Sequence, residues 1–368
     1  MKRFLAVLAV FCLLAAAVTG CGGGQGGQHT GGQQTAGQPQ DSGKKVLLNG
    51  AGASFPYPLY SRWIDAYGKI EKNVQINYQS AGSGTGIRQF TEQVIDFGGT
   101  DAPMSDEQLA KAPGEVFHIP TVMGAVAVIY NLPGVAGKLR LSPDTLADIY
   151  LGKIKKWNDP RLAALNSQVK LPDLPILVVR RSDGSGTTNI FTDYLCAVSP
   201  EWKTKVGQGT SVNWPVGTGG KGNEGVSQQV SATAGAIGYV ELAYALLNKL
   251  TYAELQNSAG AYVAPSIEGT MAAAAGAAQR MPADLRVSIV NAPGEKAYPI
   301  AGYTYILVYK EQADPGKGTA LAKFLWWAIH EGDQMAKELH YAPLPEEVKK
   351  KVEEKLKAIT HQGKSLLQ

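Results

Sequence analysis

The sequence predicts an α/β fold. Segments with the apolar pattern of β-strands are repeatedly followed by segments with the 3.6-residue apolar period of helices. Glycine-rich loops join several of these pairs, at the carboxyl ends of strands where α/β sheets bind ligands. The same loop design occurs on two separated stretches, residues 50–101 and 181–188. We therefore expect two sheets that face each other, with ligand contacts from both.

The first part of the chain alternates between strand and helix patterns. Strands are predicted at residues 46–49 and 74–78, and the apolar residues of 59–70 and 87–94 each mark one face of a helix. A capping box at residues 105–108 begins a third helix. This β-α-β-α order is typical of an α/β sheet.

The middle of the chain continues the same alternation. Buried strands are predicted at residues 124–131, 176–179 and 236–240. The Ser-Pro-Asp sequence at 142–144 begins a helix, because proline is favoured at the first helical position. The apolar spacing of residues 191–198 predicts another helix.

The last part of the chain combines one strand with two helices. Residues 270–280 are alanine-rich and their pattern leaves their structure open, whereas residues 303–309 strongly predict a strand. Residues 325–339 predict one helix and residues 348–359 another. On the last helix, a solvated face would carry the i,i+4 ion pairs Glu346–Lys350 and Glu347–Lys351.

The boundaries of two lobes follow from the strand at 303–309, which needs a sheet to join. Residues 45–121 and 297–368 are assigned to one lobe, and residues 122–296 to the other. The chain would cross between the lobes near Thr121 and Tyr298, and the two crossings would form a hinge.

The N-terminus is predicted to be an export signal, residues 1–20. Two basic residues precede an apolar stretch of about 15 residues, which is short for a membrane span. The stretch ends in Val-Thr-Gly-Cys, which resembles the bacterial lipobox, so Cys21 is the predicted site of lipidation. Plain secretion with a chance cysteine is the alternative. Residues 21–44 would form a flexible Gly/Gln-rich tether.

The composition excludes several classes of function. The formal net charge of +4 falls to +2 without residues 1–20, which is too weak an imbalance to favour nucleic acid. Cys196 is the one cysteine outside the predicted signal and lipid site, so no internal disulfide is expected. The five histidines lack the spacing of metal ligands, and neither a metal nor another cofactor is expected.

The first two glycine-rich loops offer donors for an oxyanion. Ser54 has a hydroxyl in the first loop, and the N–H group of Phe55 is a second candidate donor. Ser83 lies in the second loop, where three glycines in five residues allow the backbone to approach a ligand. Each serine could instead be only the N-cap of the following helix.

The third loop carries the strongest signal of an anion site. Arg181 can contact two oxygens of a tetrahedral anion at once. Ser185 and Thr187 offer hydroxyls and Gly186 an unobstructed N–H group, while Asp183 is placed to brace the arginine. The alternative is an exposed turn with a surface arginine.

Asp101 suggests which anion would bind. A carboxylate repels an anion unless the ligand has a proton to donate, and at neutral pH phosphate retains a P–O–H group whereas sulfate has none. A site built around such a hydrogen bond can reject the ligand that lacks it by roughly 10⁴–10⁵. The alternative is an aspartate at the start of a helix, near the helix dipole.

Seven sequence blocks resemble the phosphate-binding proteins of bacterial high-affinity phosphate ABC importers. They are GAGASFPYPLY, YQSAGSGTGIRQ, DFGGTDAPMSD, IYLGKIKKWND, VVRRSDGSGTTNIF, WPVGTGGKGNEG and GAIGYVELAYA, and they follow the order of the family over residues 46–345. The resemblance implies a two-lobe periplasmic-binding-protein fold (type II, Venus flytrap) with phosphate between the lobes. It also implies these binding residues: Ser54, Phe55, Ser83, Asp101, Arg181, Ser185, Gly186 and Thr187.

Two positions depart from the pattern of the family. Ser54 stands where threonine is common, which keeps the hydroxyl. Gly84-Thr85 replaces a Ser-Gly pair, which puts any contact beyond Ser83 in doubt. Lys221 lies in a block that fits the family, but it is expected on a surface loop near the cleft mouth rather than on the ligand.

The predicted function is a monomeric, non-enzymatic receptor that binds inorganic phosphate outside the cytoplasmic membrane and delivers it to the permease of an ABC importer. A receptor for another oxyanion, such as sulfate or molybdate, is a second possibility that Asp101 disfavours. An esterase or phosphatase is a third, although neither Ser83 nor Ser185 lies in a G-x-S-x-G motif. A surface adhesin or signalling protein is a fourth.

Overall fold

The computed structural model describes residues 45–135, 137–279 and 281–367, which form a mixed α/β fold. The predicted signal and the whole predicted tether, including Cys21, lie outside these residues. The helices are α1 (Tyr57–Ile70), α2 (Ser83–Thr91), α3 (Asp106–Leu109), α4 (Pro143–Tyr150), α5 (Pro160–Leu165), α6 (Gly186–Val198), α7 (Pro200–Lys205), α8 (Gly222–Ala232), α9 (Leu242–Leu247), α10 (Ile267–Ala278), α11 (Pro315–His330), α12 (Asp333–Glu338) and α13 (Glu346–Lys357). The strands are β1 (Val46–Gly52), β2 (Val74–Ser80), β3 (Phe97–Thr100), β4 (Val116–Tyr130), β5 (Arg140–Leu141), β6 (Leu177–Arg181), β7 (Thr218–Gly220), β8 (Ala236–Glu241), β9 (Thr251–Tyr252), β10 (Glu254–Gln256), β11 (Tyr262–Val263), β12 (Ala301–Tyr309), β13 (Thr360–His361) and β14 (Lys364–Ser365).

One hydrogen-bonded sheet runs through the described chain in the order β2-β1-β3-β12-β4-β8-β6-β7, with β9 also paired to β4. At one end of this order β2, β1 and β3 are parallel to one another, and at the other end β8, β6 and β7 are. Between them, β12 and β4 are antiparallel to their neighbours. The expectation of two separate sheets is therefore corrected. The long strand β4 pairs with β12 over residues 116–125 and with β8 over residues 126–130, and so joins the two groups of parallel strands.

The ladder between β4 and β12 is irregular at one point. Its register shifts between Thr304 and Tyr305, opposite Thr121. The hydroxyl of Thr121 donates to the Thr304 carbonyl (3.3 Å) and lies 2.7 Å from the hydroxyl of Tyr60. A bulge of this kind bends a strand locally, and it lies where the sequence predicted the first crossing between lobes.

The C-terminal helices pack on the first strands of the chain. Helix α11 contacts β1 and β4, and α13 contacts both α11 and β4. The prediction of one helix over 325–339 is wrong, because α11 ends at His330 and α12 begins at Asp333. Gly332 lies in the break, and its carbonyl accepts a hydrogen bond from the indole N–H of Trp63 (3.0 Å).

Two further details differ from the prediction. Helix α2 ends at Thr91 because Gln93 has a positive φ of 55°, and Val94, expected on the buried face, is exposed. On α13, the ion pairs are not those predicted. Lys349 is buried and pairs with Asp333 (2.8 Å), and Lys351 donates to the Met281 carbonyl (2.6 Å). Among the described residues, no helix is long and apolar enough to cross a membrane.

Candidate functional site

The predicted anion-binding loops converge because each follows the carboxyl end of a strand in the sheet. Strand β1 ends just before Ser54, β3 just before Asp101, and β6 at Arg181. Helices α2, α6 and α8 begin at Ser83, Gly186 and Gly222. The starts are hydrogen-bonded to one another, α6 to α2 through a backbone N–H group and α8 to α6 through side chains. Unpaired N–H groups and the positive end of the dipole at helix N-termini favour anions, so the arrangement is electropositive without many cationic side chains.

Ser83 joins the second and third loops. Its Oγ accepts hydrogen bonds from the N–H groups of Gly186 (3.0 Å) and Asp101 (3.3 Å). Beside it, the Gly84 N–H donates to the Gly184 carbonyl (2.9 Å). The two loops are therefore in direct contact.

Asp101 is a buried carboxyl among these donors. Its Oδ1 accepts a hydrogen bond from the Thr304 hydroxyl (2.8 Å). Its Oδ2 lies so close to Gly186 that a Cβ atom there would be 2.6 Å from it. Burial raises the pKa of Asp101 to about 7, although the Thr304 hydrogen bond and the charge of Arg181 act in the opposite direction. A carboxylate with this pKa and one oxygen facing the loops is suited to accept a proton from a ligand.

Arg181 is braced by Asp183. Its Nε and Nη2 atoms donate to the two carboxylate oxygens of Asp183 (2.8 and 2.5 Å), and the Gly222 N–H donates to Oδ1 (3.0 Å). Burial alone would raise the pKa of Asp183, but Arg181 and the Gly222 N–H hold it below its ordinary value. Because Asp183 occupies this edge of the guanidinium, contact with an anion has to come from Nη1 or the outer hydrogen of Nη2.

Ser185, Gly186 and Thr187 form the first turn of α6 and its cap. The Oγ of Ser185 accepts a hydrogen bond from the Thr188 N–H (3.0 Å), so Ser185 is the N-cap of the helix and retains its own proton. The Oγ1 of Thr187 accepts hydrogen bonds from Arg181 Nη1 (3.4 Å) and Asn223 Nδ2 (3.2 Å). Both hydroxyls are fully buried.

Ser54 and Phe55 take different roles at the end of β1. The Oγ of Ser54 accepts two hydrogen bonds from Asn223, from the backbone N–H (3.1 Å) and from Nδ2 (2.8 Å). The ring of Phe55 packs in the core against Tyr341, whose hydroxyl donates to the Phe55 carbonyl (2.7 Å). For Phe55, only the backbone N–H is therefore a candidate ligand contact.

Asn223 is a site residue that the sequence reasoning missed. It is fully buried and directly follows Gly222, which has a φ of +68° at the start of α8. The signal was present, since a glycine-rich stretch before a helix is the design that singled out the other loops. Lys221, in the same stretch, is exposed.

Comparison with known proteins identifies the family. The model of the PBP superfamily domain matches residues 26–331. Phosphate-binding protein PstS of Xylella fastidiosa (strain 9a5c) is 46% identical over 359 residues, which cover 96% of this chain and 98% of the relative. Phosphate-binding protein PstS of Pasteurella multocida (strain Pm70) is 48% identical over 324 residues, which cover 87% and 93%.

Solved structures share the fold at lower identity. A high affinity periplasmic phosphate-binding protein (PfluDING) bound with phosphate is 23% identical with a TM-score of 0.65, and the match covers 83% of this chain and 93% of that one. An ABC-type phosphate transport receptor from Vibrio cholerae is 17% identical with a TM-score of 0.53, and the match covers 81% and 100%. The chain therefore belongs to the PBP superfamily and, within it, to the family of the PstS phosphate-binding proteins.

Proposed function

We propose that this protein binds inorganic phosphate between two lobes and delivers it to the permease of an ABC importer, without catalysing a reaction. The names of the PstS relatives and of the transport receptor from Vibrio cholerae support both the ligand and the transport role. The convergence of three helix N-termini and Arg181 supports an oxyanion as the ligand.

The phosphate would be held mainly by donors. Arg181 supplies the positive charge and the Phe55 N–H group a backbone donor. The Gly186 N–H, expected from the sequence to be unobstructed, donates to Ser83 Oγ (3.0 Å), so it would have to exchange this hydrogen bond for one to phosphate. Residues 50–101 contribute the hydroxyls of Ser54 and Ser83, and residues 181–188 contribute those of Ser185 and Thr187. Asp101 would accept the remaining P–O–H proton.

Asp101 is the observation that carries the choice of phosphate. Its carboxyl is buried beside Gly186 and Ser83, with one oxygen held by Thr304. An ionised carboxylate in this position would repel a fully ionised anion such as sulfate and would accept a hydrogen bond from phosphate. The expected consequence is strong selectivity for phosphate over sulfate.

Calorimetric titration of the mature chain with phosphate, arsenate and sulfate tests this function. We expect binding of phosphate and arsenate and no measurable binding of sulfate. In Asp101→Asn the amide can donate to a bare oxygen, so the phosphate-to-sulfate affinity ratio should fall. An unchanged ratio in this variant would show that another group makes the discrimination. Hydrolysis of phosphate esters by the wild-type protein would favour an enzyme instead.

Residues 45–121 and 297–368 are proposed to form one lobe, and residues 122–296 the other. The change of partner along β4 at Val126, the bulge opposite Thr121 and the packing of α11 on β1 support this division. Small-angle scattering with and without phosphate tests it. The radius of gyration should decrease on binding, and an unchanged value would argue against closure of two lobes.

Cys21 is proposed to be lipidated after removal of residues 1–20, so that the tether holds the monomeric protein on the outer face of a membrane. The support is the lipobox-like sequence after the apolar stretch. Cys21→Ser should release the protein into the soluble exported fraction. Wild-type levels of membrane-bound protein in this variant would exclude the anchor.

A further inference from the structure

Asn223 lies at the centre of the candidate site with its amide orientation fixed. Its Oδ1 accepts a hydrogen bond from the Glu241 N–H (2.9 Å), a group that can only donate. Its Nδ2 must therefore point the other way, and it donates to Ser54 Oγ (2.8 Å) and Thr187 Oγ1 (3.2 Å). Both hydrogens of the amide nitrogen are used, one on each hydroxyl.

These two hydroxyls have no acceptor capacity left. A hydroxyl has two acceptor lone pairs and one proton. Ser54 Oγ also accepts from the Asn223 backbone N–H (3.1 Å), and Thr187 Oγ1 also accepts from Arg181 Nη1 (3.4 Å). Both lone pairs of each oxygen are therefore occupied, and the proton is the one remaining means of interaction.

Ser83 has the same hydrogen-bonding pattern, with different donors. Its Oγ accepts from two backbone N–H groups, those of Asp101 and Gly186. Three hydroxyls of the site thus share one polarity although their donors differ. For Ser83 the backbone sets this polarity, whereas for Ser54 and Thr187 it depends on the side chain of Asn223.

We propose that Asn223 is a specificity-determining residue that fixes the hydroxyls of Ser54 and Thr187 as donors toward the bound oxyanion. The proposal rests on the phosphate site described above. With the hydroxyls restricted to donating, Asp101 is left as the acceptor of the site. The site then matches a ligand with several bare oxygens and one proton, which is the pattern of monohydrogen phosphate.

If Asn223 has this role, phosphate affinity depends more on whether the side chain at position 223 donates or accepts hydrogen bonds than on its size. In Asn223→Asp the carboxylate accepts from both hydroxyls, so their protons turn away from the ligand. In Asn223→Ala nothing accepts those protons, and they remain free to reach the anion. We therefore expect Asn223→Asp to weaken phosphate binding about 100-fold or more, and Asn223→Ala about 10-fold.

A second set of variants separates charge repulsion by the new carboxylate from the effect of the orientation of the two hydroxyls. The Asp and Ala variants at 223 are compared by phosphate titration in the wild-type chain and in a chain with Ser54→Ala and Thr187→Val. Without the two hydroxyls, the difference between Asp and Ala reports repulsion alone. The proposal requires the difference to be at least about 10-fold larger in the wild-type background. Equal differences in the two backgrounds would overturn it.

Two controls keep the result interpretable. Asn248→Asp makes the same charge change at an exposed position and should leave phosphate affinity unchanged, and circular dichroism checks that each variant is folded. If Asn223→Asp does not fold, Asn223→Ala and Ser54→Ala form a cycle by themselves, and additive losses would overturn the proposal. If the wild-type chain does not bind phosphate, the proposed function itself is wrong. Additive losses in a chain that does bind phosphate would overturn only the role of Asn223.

Discussion

Asp101 should make the stability of the phosphate-free protein fall as the pH rises, and Asp101→Asn should remove this effect. The folded protein holds the pKa of Asp101 at about 7, against an ordinary value of 3.8. A carboxyl whose pKa is raised by folding binds more protons in the folded state, so it stabilises the fold at low pH. That contribution is lost as the pH rises from about 4 through about 7.

The size of the effect follows from these two values. The whole difference corresponds to about 4 kcal/mol of unfolding free energy, and about 2.5 kcal/mol of it falls between pH 5 and pH 8. Other groups titrate in the same range, so the informative quantity is the difference between Asp101→Asn and wild type. The free energy of unfolding of Asp101→Asn relative to wild type should increase by about 2.5 kcal/mol from pH 5 to pH 8.

Urea unfolding at pH 5, 6, 7 and 8 measures this difference, in buffers free of phosphate because the ligand would stabilise the folded state. A difference that stays constant over this range would refute the reasoning. It would mean that Asp101 is ionised in the folded protein throughout, and that burial does not control its pKa.

Substitutions at three other positions test the surroundings of the site. Burial holds the pKa of Glu241 well above its ordinary range, so Glu241→Gln should lose less stability than Glu241→Ala. In urea unfolding, the free energy of unfolding of Glu241→Gln relative to wild type should also increase from pH 5 to pH 8. Gly186→Ala would place a Cβ atom 2.6 Å from Asp101, and this crowding should weaken phosphate binding by more than about 10-fold in a calorimetric titration. Arg181→Ala should weaken phosphate by about 3–5 kcal/mol and leave Asp183 unpaired, and Arg181→Lys should not restore binding because an ammonium cannot brace Asp183 through two atoms and also reach the anion.

Matched variants distinguish the causes in these three cases. Gly68→Ala adds a methyl group where no atom lies within 4 Å and should leave affinity unchanged. Arg181→Ala combined with Asp183→Ala should recover stability without recovering phosphate binding. If the double variant bound phosphate as the wild type does, the pair would have no part in the site. A Glu241→Gln variant whose stability ran parallel to wild type at every pH would show that Glu241 is ionised when folded.

The loops could be predicted from sequence because their chemistry is local. Glycine, serine and a following apolar period occupy adjacent positions, and the strands before Ser54, Ser83 and Arg181 were recognisable from their patterns. The bracing of Arg181 by Asp183 was also within reach, since the two residues are two positions apart.

What sequence reasoning missed depends on contacts between distant segments. Asn223 acts on Ser54, which is 169 positions away, and no local pattern indicates that pairing. Gly332, in the break between α11 and α12, is hydrogen-bonded to Trp63, which is 269 positions away, and the continuity of the main sheet depends on a change of partner within β4. The order of strands is a property of the assembled fold, so a pattern read along the chain could not separate one sheet from two.

The place of β12 in the sheet has a consequence for the order of folding. This strand forms near the end of the chain, yet it lies between β3 and β4, and its partners on β3 are about 200 residues away. Until residues 301–309 are available, the middle of the sheet has two unpaired edges, and the cleft loops at the ends of β1 and β3 lack their support. Pairing over such a separation carries a large loop-closure entropy and slows folding. The pairings of β12 with β3 and β4 can therefore form only after almost all of the chain has been made, so the middle of the sheet is among the last parts of the fold to be completed.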